Sequence, residues 1–444
     1  MKLTLHRADQ VGGCITEIES DAGTRLIIDL GHNMPKGDTP APDKYDEPGA
    51  IENLVKGAAA VLYTHNHADH IGFFSRVPDD IPQYLGRLAT RLMMLRFETL
   101  AKYDRFRDTA GESLRKLKQF RHYREGKSFK IGDISVTPFC VNHSATDSYM
   151  LLIKCDGKTL LHTGDFREHG YPGCRMRKIL DQYGIAGNVD VLITEGTNLG
   201  SDPEQIISEP EVSACFEEIF NRRKNVFVLC PAQDADRLQA IYSACYDDGR
   251  YKPLVCETLQ KESMMAIAKA SRGGKLYRFK ENRLYDFTRH APRLIEKMKE
   301  TGFVMLIRNN SIFTRWIQEV VAFCKKEETT FVYSSFRGYI DPEDECFSQK
   351  TWDFIQPLIE HSTPCLDDDS LFDYNHTTGH ASTTSLREIC ELVAPRTAII
   401  PVHRNPESDF RSLGLSGGLD SKIVEGNACL DGIAITFDWP CGKD

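Results

Sequence analysis

The sequence predicts an α/β protein with more than one domain, and three features of the chain support this fold class. Its 444 residues are too many for one ordinary hydrophobic core, so two domains are expected. Strand-like segments dominate up to about residue 204, whereas helices and strands alternate regularly from 205 onward. Isolated polar residues also recur where predicted strands end, and strand ends are places where a layered fold can bring remote segments together.

The N-terminal segments read as strands joined by loops. Residues 14–19 and 24–29 are strand-like and flank a short turn containing Gly23, which predicts a hairpin. Residues 36–50 are rich in proline, glycine and aspartate and are expected to form a loop. After a short helix, the apolar run 58–63 predicts a buried strand.

Longer segments follow this strand. Leucines spaced among charged residues over 86–120 predict an amphipathic helical cover, and its many arginines and lysines are interpreted as a solvated face rather than a phosphate track. Residues 149–153 and 159–162 are predicted to form a second hairpin. The apolar run 189–194 predicts another buried strand, with Glu195 directly after it.

Regular alternation between residues 205 and 374 predicts an open α/β unit with a largely parallel sheet. The expected helices are 210–223, 233–247, 259–270 and 313–325. The expected strands are 225–230, 252–256, 303–307 and 330–334. Beyond this block, the sequence predicts a helix opening at Gly379-His380-Ala381-Ser382, a strand over 397–403 and two short strand-like pieces near 422–424 and 433–437.

Composition narrows the classes of protein. The net charge of −9 provides no global field for nucleic acid, so a nucleic-acid enzyme would need a local groove or metal ions to receive phosphates. The 14 cysteines include no Cys-x-x-Cys pair, which argues against a zinc ribbon and a disulfide framework. No apolar run approaches the ~20 residues of a membrane helix, and the N-terminus lacks a signal-peptide core. We therefore expect a cytoplasmic protein without a membrane partner.

The segment Thr64-His65-Asn66-His67-Ala68-Asp69-His70-Ile71-Gly72 is the most informative stretch of the chain. Three histidines and one aspartate fall within six residues, directly after the predicted strand 58–63. Imidazole nitrogen and carboxylate oxygen are ligands that zinc accepts. A polar loop with scattered histidines is the plain alternative, but a cluster of this density favours a metal site.

Further polar residues at predicted strand ends supply partners for this cluster. One ion can be held by His65, His67 and His143. A second ion can be held by Asp69, His70 and His403. Asp165, which follows a glycine after a strand, is the natural bridge, because a carboxylate can serve two ions ~3.5–4 Å apart. The predicted metal ligands are thus His65, His67, Asp69, His70, His143, Asp165 and His403.

This constellation resembles the metallo-β-lactamase superfamily, whose signature is a His-x-His-x-Asp-His loop, a later lone histidine and an aspartate in a Gly-Asp turn. The later pieces around Glu195, His380 and His403 resemble the β-CASP nucleases of that superfamily. The stretches His143-Ser144-Ala145-Thr146-Asp147-Ser148 and His162-Thr163-Gly164-Asp165-Phe166-Arg167 are similar to ribonuclease J-type ribonucleases.

The resemblance implies a metallo-β-lactamase αββα sandwich with an inserted α/β β-CASP domain. Its first part would comprise residues 1–204, the inserted domain 205–374 and the closing part 375–444. Asp69, His380 and Glu195 would be catalytic, with His380 donating a proton to the leaving oxygen or steadying the phosphate. Glu195 would orient a histidine, and Asp29 would do the same for the 65–70 loop.

The activity implied is hydrolysis of phosphodiester bonds, foremost in single-stranded RNA, by an exo- or endonuclease. Two zinc ions, with Mn²⁺ or Mg²⁺ as alternatives, would lower the pKa of a bridging water so that hydroxide forms near neutral pH. The partner would be nucleic acid, RNA before DNA, and a homodimer is a further expectation. His380, Ser382, Ser335 and Arg337 are the candidate substrate contacts, although Ser382 is equally suited to cap a helix.

Three other functions remain open at this point. A β-CASP nuclease acting on DNA differs only in whether the pocket recognises the 2′-hydroxyl, a contact the sequence does not reveal. A non-catalytic scaffold subunit would have lost metal ligands, and the ligand set is intact. A small-molecule metallo-hydrolase would have little use for an inserted α/β domain suited to clamping a polymer.

Overall fold

The computed structural model describes residues 1–200, 206–246, 251–271, 274–289, 292–367 and 369–438. Across these ranges, every helix is too short or too polar to cross a membrane. The chain divides into two compact units, of which the first comprises Met1–Met34, Ala41–Ile206 and Gly379–Asp444 and the second comprises Pro35–Pro40 and Ile207–Thr378. The limits drawn from the sequence, 204/205 and 374/375, lie close to these divisions, but the short 35–40 segment was not assigned to the second unit.

The first unit contains two sheets and six of the described α-helices. One sheet runs in the order β19 (Ala428–Leu430), β20 (Ile433–Asp438), β1 (Lys2–His6), β2 (Ile15–Glu19), β3 (Arg25–Ile28), β4 (Ala60–Leu62), β5 (Gln83–Leu85) and β6 (Arg121–His122). The other runs in the order β18 (Ala398–Arg404), β11 (Val191–Gly196), β10 (Lys158–His162), β9 (Ser148–Cys155), β8 (Ile134–Val141) and β7 (Phe129–Ile131). The helices are α1 (Ala50–Val55), α2 (Ala68–Ile71), α3 (Arg87–Leu100), α4 (Arg107–Leu117), α5 (Arg175–Gln182) and α12 (Thr383–Val393).

Alternation along the strands explains the four layers of this unit. In β3, Leu26 and Ile28 join the core between the two sheets, whereas Ile27 faces the core under the outer helices. In β9, Leu151 and Ile153 lie between the sheets, and Met150 belongs to the cluster that includes α5 and α12. Each fully buried side chain of this kind contributes about 1.5–3 kcal/mol. The predicted αββα sandwich is therefore confirmed, and so are both predicted hairpins.

The second unit is built around one parallel sheet. Its order is β14 (Leu284–Asp286), β13 (Leu254–Cys256), β15 (Phe303–Ile307), β12 (Asn225–Leu229), β16 (Thr329–Tyr333) and β17 (Asp373–Tyr374). Every neighbouring pair is parallel, as the sequence predicted. The helices are α6 (Glu209–Arg222), α7 (Ala235–Tyr246), α8 (Thr258–Ala270), α9 (Pro292–Thr301), α10 (Ser311–Val321) and α11 (Gln349–Glu360).

Some local expectations were wrong. The piece near 422–424 is not a strand, because Leu419–Lys422 forms a 3-10 turn and only Ile423 makes a bridge, to Ile399. Helix α11 was missed, since Pro357 interrupts its pattern, yet it forms because Phe354, Ile355 and Leu358 are buried along one face.

Candidate metal centre

The site residues of the first unit come from strand ends on one edge of each sheet. Strands β3 and β4 are parallel neighbours, and the motif that contains His65 follows the second of them. Strands β10, β11 and β18 are also parallel neighbours, and they carry Asp165, Glu195 and His403 at or just beyond their carboxyl ends. Parallel strands end at the same edge, so residues far apart in sequence converge there.

Part of the metal motif is helical rather than a loop. Asp69 and His70 lie on the short turn α2, for which His67 is the N-cap residue. The backbone of this turn packs directly against Gly31. A Cβ added to Gly31 would lie 1.6 Å from the carbonyl oxygen of Asp69. Only a residue without a side chain permits this approach.

The carboxylate of Asp165 lies in the middle of the site and is buried. Its Oδ2 is 3.1 Å from His70 Nε2, 3.7 Å from His403 Nε2, 3.7 Å from His380 Nδ1, 3.8 Å from His65 Nε2 and 4.0 Å from His143 Nε2. An oxygen surrounded in this way has the location that a ligand shared between two ions requires.

The predicted ligands also form compact groups around Asp165. One group is His65, His67 and His143, and another is Asp69, His70 and His403, with potential ligand atoms within 4.8 Å of one another in each group. These are the two triads proposed from the sequence. Two further groups contain Asp165, one with His65 and His70 and one with His143 and His380.

Hydrogen bonds on the outer side of the rings fix which nitrogen faces inward. His70 Nδ1 donates to Asp29 Oδ2 at 2.8 Å, and His143 Nδ1 donates to the carbonyl oxygen of Gly379 at 2.6 Å. Both rings therefore turn Nε2 toward the centre. Orientation of a ligating imidazole by an outer acceptor is the usual arrangement in protein metal sites.

Two threonine hydroxyl groups orient two further histidine rings in the same way. Thr64 Oγ1 donates to Asp29 Oδ2 at 2.8 Å, so at 3.0 Å from His65 Nδ1 it can only accept that ring's proton. Thr197 Oγ1 donates to the carbonyl oxygen of His403 at 3.1 Å and accepts from His403 Nδ1 at 2.8 Å. Each of these histidines is thereby held with Nε2 facing inward, and Nε2 of His403 lies 3.1 Å from Asp69 Oδ2.

Buried polar atoms at the centre have no hydrogen-bond partner among the described residues. They are His65 Nε2, His70 Nε2 and Asp165 Oδ2. Leaving one such atom unsatisfied costs about 1–3 kcal/mol, and His143 Nε2 lies only 3.2 Å from His67 Nδ1. A cation bound among these atoms would be a partner for the unsatisfied atoms and would offset the close approach of the two imidazole nitrogens. The mixture of imidazole and carboxylate donors fits zinc better than magnesium, which prefers oxygen.

Burial and nearby charged side chains set the pKa values of the residues in the site. Burial lowers the pKa of His65 and His143 well below the usual value and that of His67 to about 4, which keeps these rings neutral. Burial acts in the same direction on His70, but Asp165 and other carboxylates raise its pKa well above the usual value. Although burial opposes it, nearby histidines hold the pKa of Asp165 well below its ordinary range.

His380 and Glu195 form a pair beside this centre. His380 Nδ1 lies 2.9 Å from Glu195 Oε2, while Glu195 Oε1 accepts from the backbone N–H of Phe166 at 2.7 Å. Burial alone would lower the pKa of His380, but the charge and hydrogen bond of Glu195, together with the nearby aspartates, raise it to about 9. His380 is therefore protonated at neutral pH.

Two of the eight non-glycine residues with positive φ in the described part of the chain lie at this site. Asp29 and His403 have φ values of 62° and 49°, in the left-handed region that residues with side chains seldom adopt. His403 sits where the pairing of β11 with β18 shifts register beside Glu195. Strain of this kind costs about 1–3 kcal/mol per residue and clusters at functional sites.

The predicted substrate contacts fall in different places. Ser382 is the N-cap of α12, where its Oγ accepts from the N–H of Ser385 at 3.0 Å. Ser335 and Arg337 belong to the second unit, and the Arg337 guanidinium lies 5.7 Å from the ring centroid of Tyr374. Their contact with substrate stays a prediction.

Sequence reasoning missed three residues that support the site. Thr64 and Thr197 were given no role, and Asn198 Nδ2 donates to the carbonyl oxygens of His380 and Ala381 at 3.2 and 3.0 Å. Thr197 and Asn198 lie two and three residues after Glu195 in the chain, which was the available signal.

Comparisons with known proteins agree with this geometry. The profile of the β-lactamase superfamily domain matches residues 24–220. Ribonuclease J of Mycobacterium tuberculosis is 28% identical over 265 residues, which cover 58% of this chain and 45% of that protein. Ribonuclease J of Mycolicibacterium smegmatis is 28% identical over 274 residues, covering 59% and 45%. The chain therefore aligns with less than half of the length of these relatives.

A solved structure matches nearly the whole chain. It is a protein of unknown function from Enterococcus faecalis V583, with a TM-score of 0.65 and 16% identity, and the match covers 94% of this chain and 96% of that one. At this identity the likeness concerns the fold alone. With the two sheets, the profile match and the relatives, the resemblance drawn from the sequence is confirmed: residues 24–220 match the β-lactamase superfamily domain, and the chain is similar to proteins named Ribonuclease J.

Proposed function

We propose that the protein is a metal-dependent nuclease that hydrolyses phosphodiester bonds in single-stranded RNA. The observation that carries this proposal is the ring of inward-facing histidine nitrogens around Asp165 Oδ2. The similarity to proteins named Ribonuclease J supports RNA as the substrate class. Zinc is the proposed metal, with manganese or magnesium as alternatives, because imidazoles dominate the donor set.

The metal would be held by residues of the two triads, with Asp165 shared between them. Divalent cations bound there would supply positive charge for the phosphoryl oxygens and for the activation of water. Burial keeps His65, His67 and His143 neutral. Outer hydrogen bonds from Asp29, Thr64 and Thr197 orient the rings of the neighbouring histidines. This preorganisation means that little rearrangement accompanies binding of a phosphate.

His380 is proposed as the proton donor to the leaving oxygen. Its Nδ1 lies 2.9 Å from Glu195 Oε2, and the proton transfer is assigned to its other ring nitrogen, Nε2. The raised pKa of about 9 keeps that nitrogen protonated at neutral pH, as a general acid must be. Glu195 acts through His380 and is a positioning residue in this scheme.

End-labelled single-stranded oligonucleotides test the proposal. Purified protein should cleave RNA, a chelator should abolish cleavage, and added zinc should restore it. The double variant Asp69→Asn/His70→Ala should be inactive while retaining the fold, and Tyr103→Ala, altered at an exposed tyrosine, is the matched control. Cleavage that persists in metal-stripped protein would refute the mechanism, and cleavage of matched DNA but not RNA would redirect the function to DNA.

A further inference from the structure

Two exposed apolar side chains flank the candidate metal centre in the first unit. Val11 and Met34 are 36% and 37% exposed. Both adjoin Gly12: Val11 precedes it in the chain, and a Cβ added to Gly12 would lie 2.5 Å from Met34 Cγ. Single exposed hydrophobic residues are ordinary on protein surfaces. Here two of them adjoin the same glycine, which also lies beside a predicted metal ligand.

This pair borders the metal-binding turn directly. The same added Cβ on Gly12 would lie 3.0 Å from Asp69 Cβ and 3.1 Å from Asp69 Oδ2. Met34 and the Asp69 carboxylate therefore both lie beside the same glycine. A molecule bound through a phosphate at the metal centre would meet the apolar pair within the length of one nucleotide.

The position of the pair is fixed by hydrogen bonds to the turn. The N–H of Gly13 donates to the carbonyl oxygen of Asp69 at 2.8 Å, and the N–H of His32 donates to that of Ala68 at 3.0 Å. The two loops that carry Val11 and Met34 are thus each attached to α2.

The two loops are also tied to each other. The fully buried Arg7 donates from Nη1 to Asn33 Oδ1 at 2.6 Å and from Nη2 to the carbonyl oxygen of Gly31 at 2.9 Å. Gln10 Nε2 donates to Asn33 Oδ1 at 2.6 Å and to the carbonyl oxygen of Gly12 at 2.9 Å. A side-chain network of this kind holds the apolar pair at a set distance from the metal ligands.

We propose that Val11 and Met34 form an apolar ledge that packs against the nucleobase next to the scissile phosphate. This inference rests on the proposed function and deepens it by assigning a substrate contact. A base offers an apolar face whatever its identity, and the flexible methionine side chain adapts to different shapes. The ledge therefore strengthens binding of a nucleotide at the metal centre without selecting a sequence.

The test compares single-stranded RNA with the same RNA lacking the base beside the mapped cleavage site. The wild-type protein should cleave the abasic RNA with a kcat/KM about tenfold lower, the scale of one lost apolar contact. The variant Val11→Ala/Met34→Ala should cleave both RNAs at that lower rate. Met34→Leu and the control Tyr103→Ala should keep the wild-type preference. Zinc content measured by mass spectrometry should be equal in all of them, and the wild-type protein should hydrolyse the small diester bis(p-nitrophenyl) phosphate, which shows that the metal centre is competent.

Two results would overturn the ledge: no preference for the intact RNA in the wild-type protein, or a double variant that still prefers it. A wild-type protein that hydrolyses the small diester but no RNA would overturn the proposed function and the ledge with it. That outcome is distinct, because it is visible before any variant is compared.

Discussion

Replacement of Thr197 by valine should weaken one of the two metal positions selectively. Valine matches threonine in shape but lacks the hydroxyl that accepts from His403 Nδ1 at 2.8 Å and donates to the His403 carbonyl oxygen at 3.1 Å. His403 is only 2% exposed, so water cannot replace this partner. The His403 Nδ1–H group would then be buried without an acceptor, at a cost of about 1–3 kcal/mol in stability. The ring would also lose the hydrogen bond that fixes its tautomer.

Loss of a residue that orients a metal-bound histidine commonly lowers metal affinity 10- to 100-fold. We expect a decrease of about that size for the ion held by Asp69, His70 and His403. The ion held by His65, His67 and His143 should bind as before. Titration of metal-stripped protein with zinc against a chromophoric chelator separates the two steps. The conservative variant Thr197→Ser keeps a hydroxyl and should bind both ions nearly normally.

The reasoning would fail if Thr197→Val bound both ions with wild-type affinity. It would also fail if Thr197→Ser were as impaired as the valine variant, since the defect would then not lie in the hydroxyl. Thermal unfolding of the metal-free proteins serves as a check that the variants fold.

Further predictions concern backbone packing, buried charge and pH. Gly31→Ala would place a Cβ 1.6 Å from a backbone oxygen of the metal-binding turn, so metal content by mass spectrometry should fall, whereas Gly111→Ala, with open space around it, should retain it. Glu209→Ala removes the carboxylate that lies 3.2 Å from the buried guanidinium of Arg237. The free energy of unfolding of the second unit should fall by about 3–5 kcal/mol. Denaturant unfolding measures this change, and an unchanged midpoint would contradict it. Because His380 must be protonated and its pKa is about 9, activity should decline as pH rises through that value. Glu195→Gln should move the decline to lower pH, and an unmoved profile would exclude His380 as the titrating acid.

Much of the fold was predictable because buried strands leave short apolar runs between turn residues. The run that contains β3 follows the turn at Gly23 and predicted a strand, but the sequence did not show that its side chains divide between two cores. The parallel sheet of the second unit was predicted from continuous apolar runs such as Phe303–Ile307. Helix α11 was not predicted, because a proline lies within it and tertiary burial overrides that local signal.

The convergence of the predicted ligands could be anticipated from the sequence, but the residues that orient them could not. Four of the predicted ligands lie within six residues, and the others stand at strand ends, so local sequence singled them out. The hydrogen bond of Thr197 to His403 joins residues 206 positions apart, and no local pattern encodes such a contact. The apolar character of Val11 and Met34 was equally uninformative until their exposure beside Asp69 was known.

A crystal structure of the zinc-loaded protein with data collected at the zinc absorption edge would test the central claim most directly. The account predicts two anomalous peaks separated by Asp165, one among His65, His67 and His143 and the other among Asp69, His70 and His403. Peaks elsewhere in the molecule, or none at these residues, would contradict it.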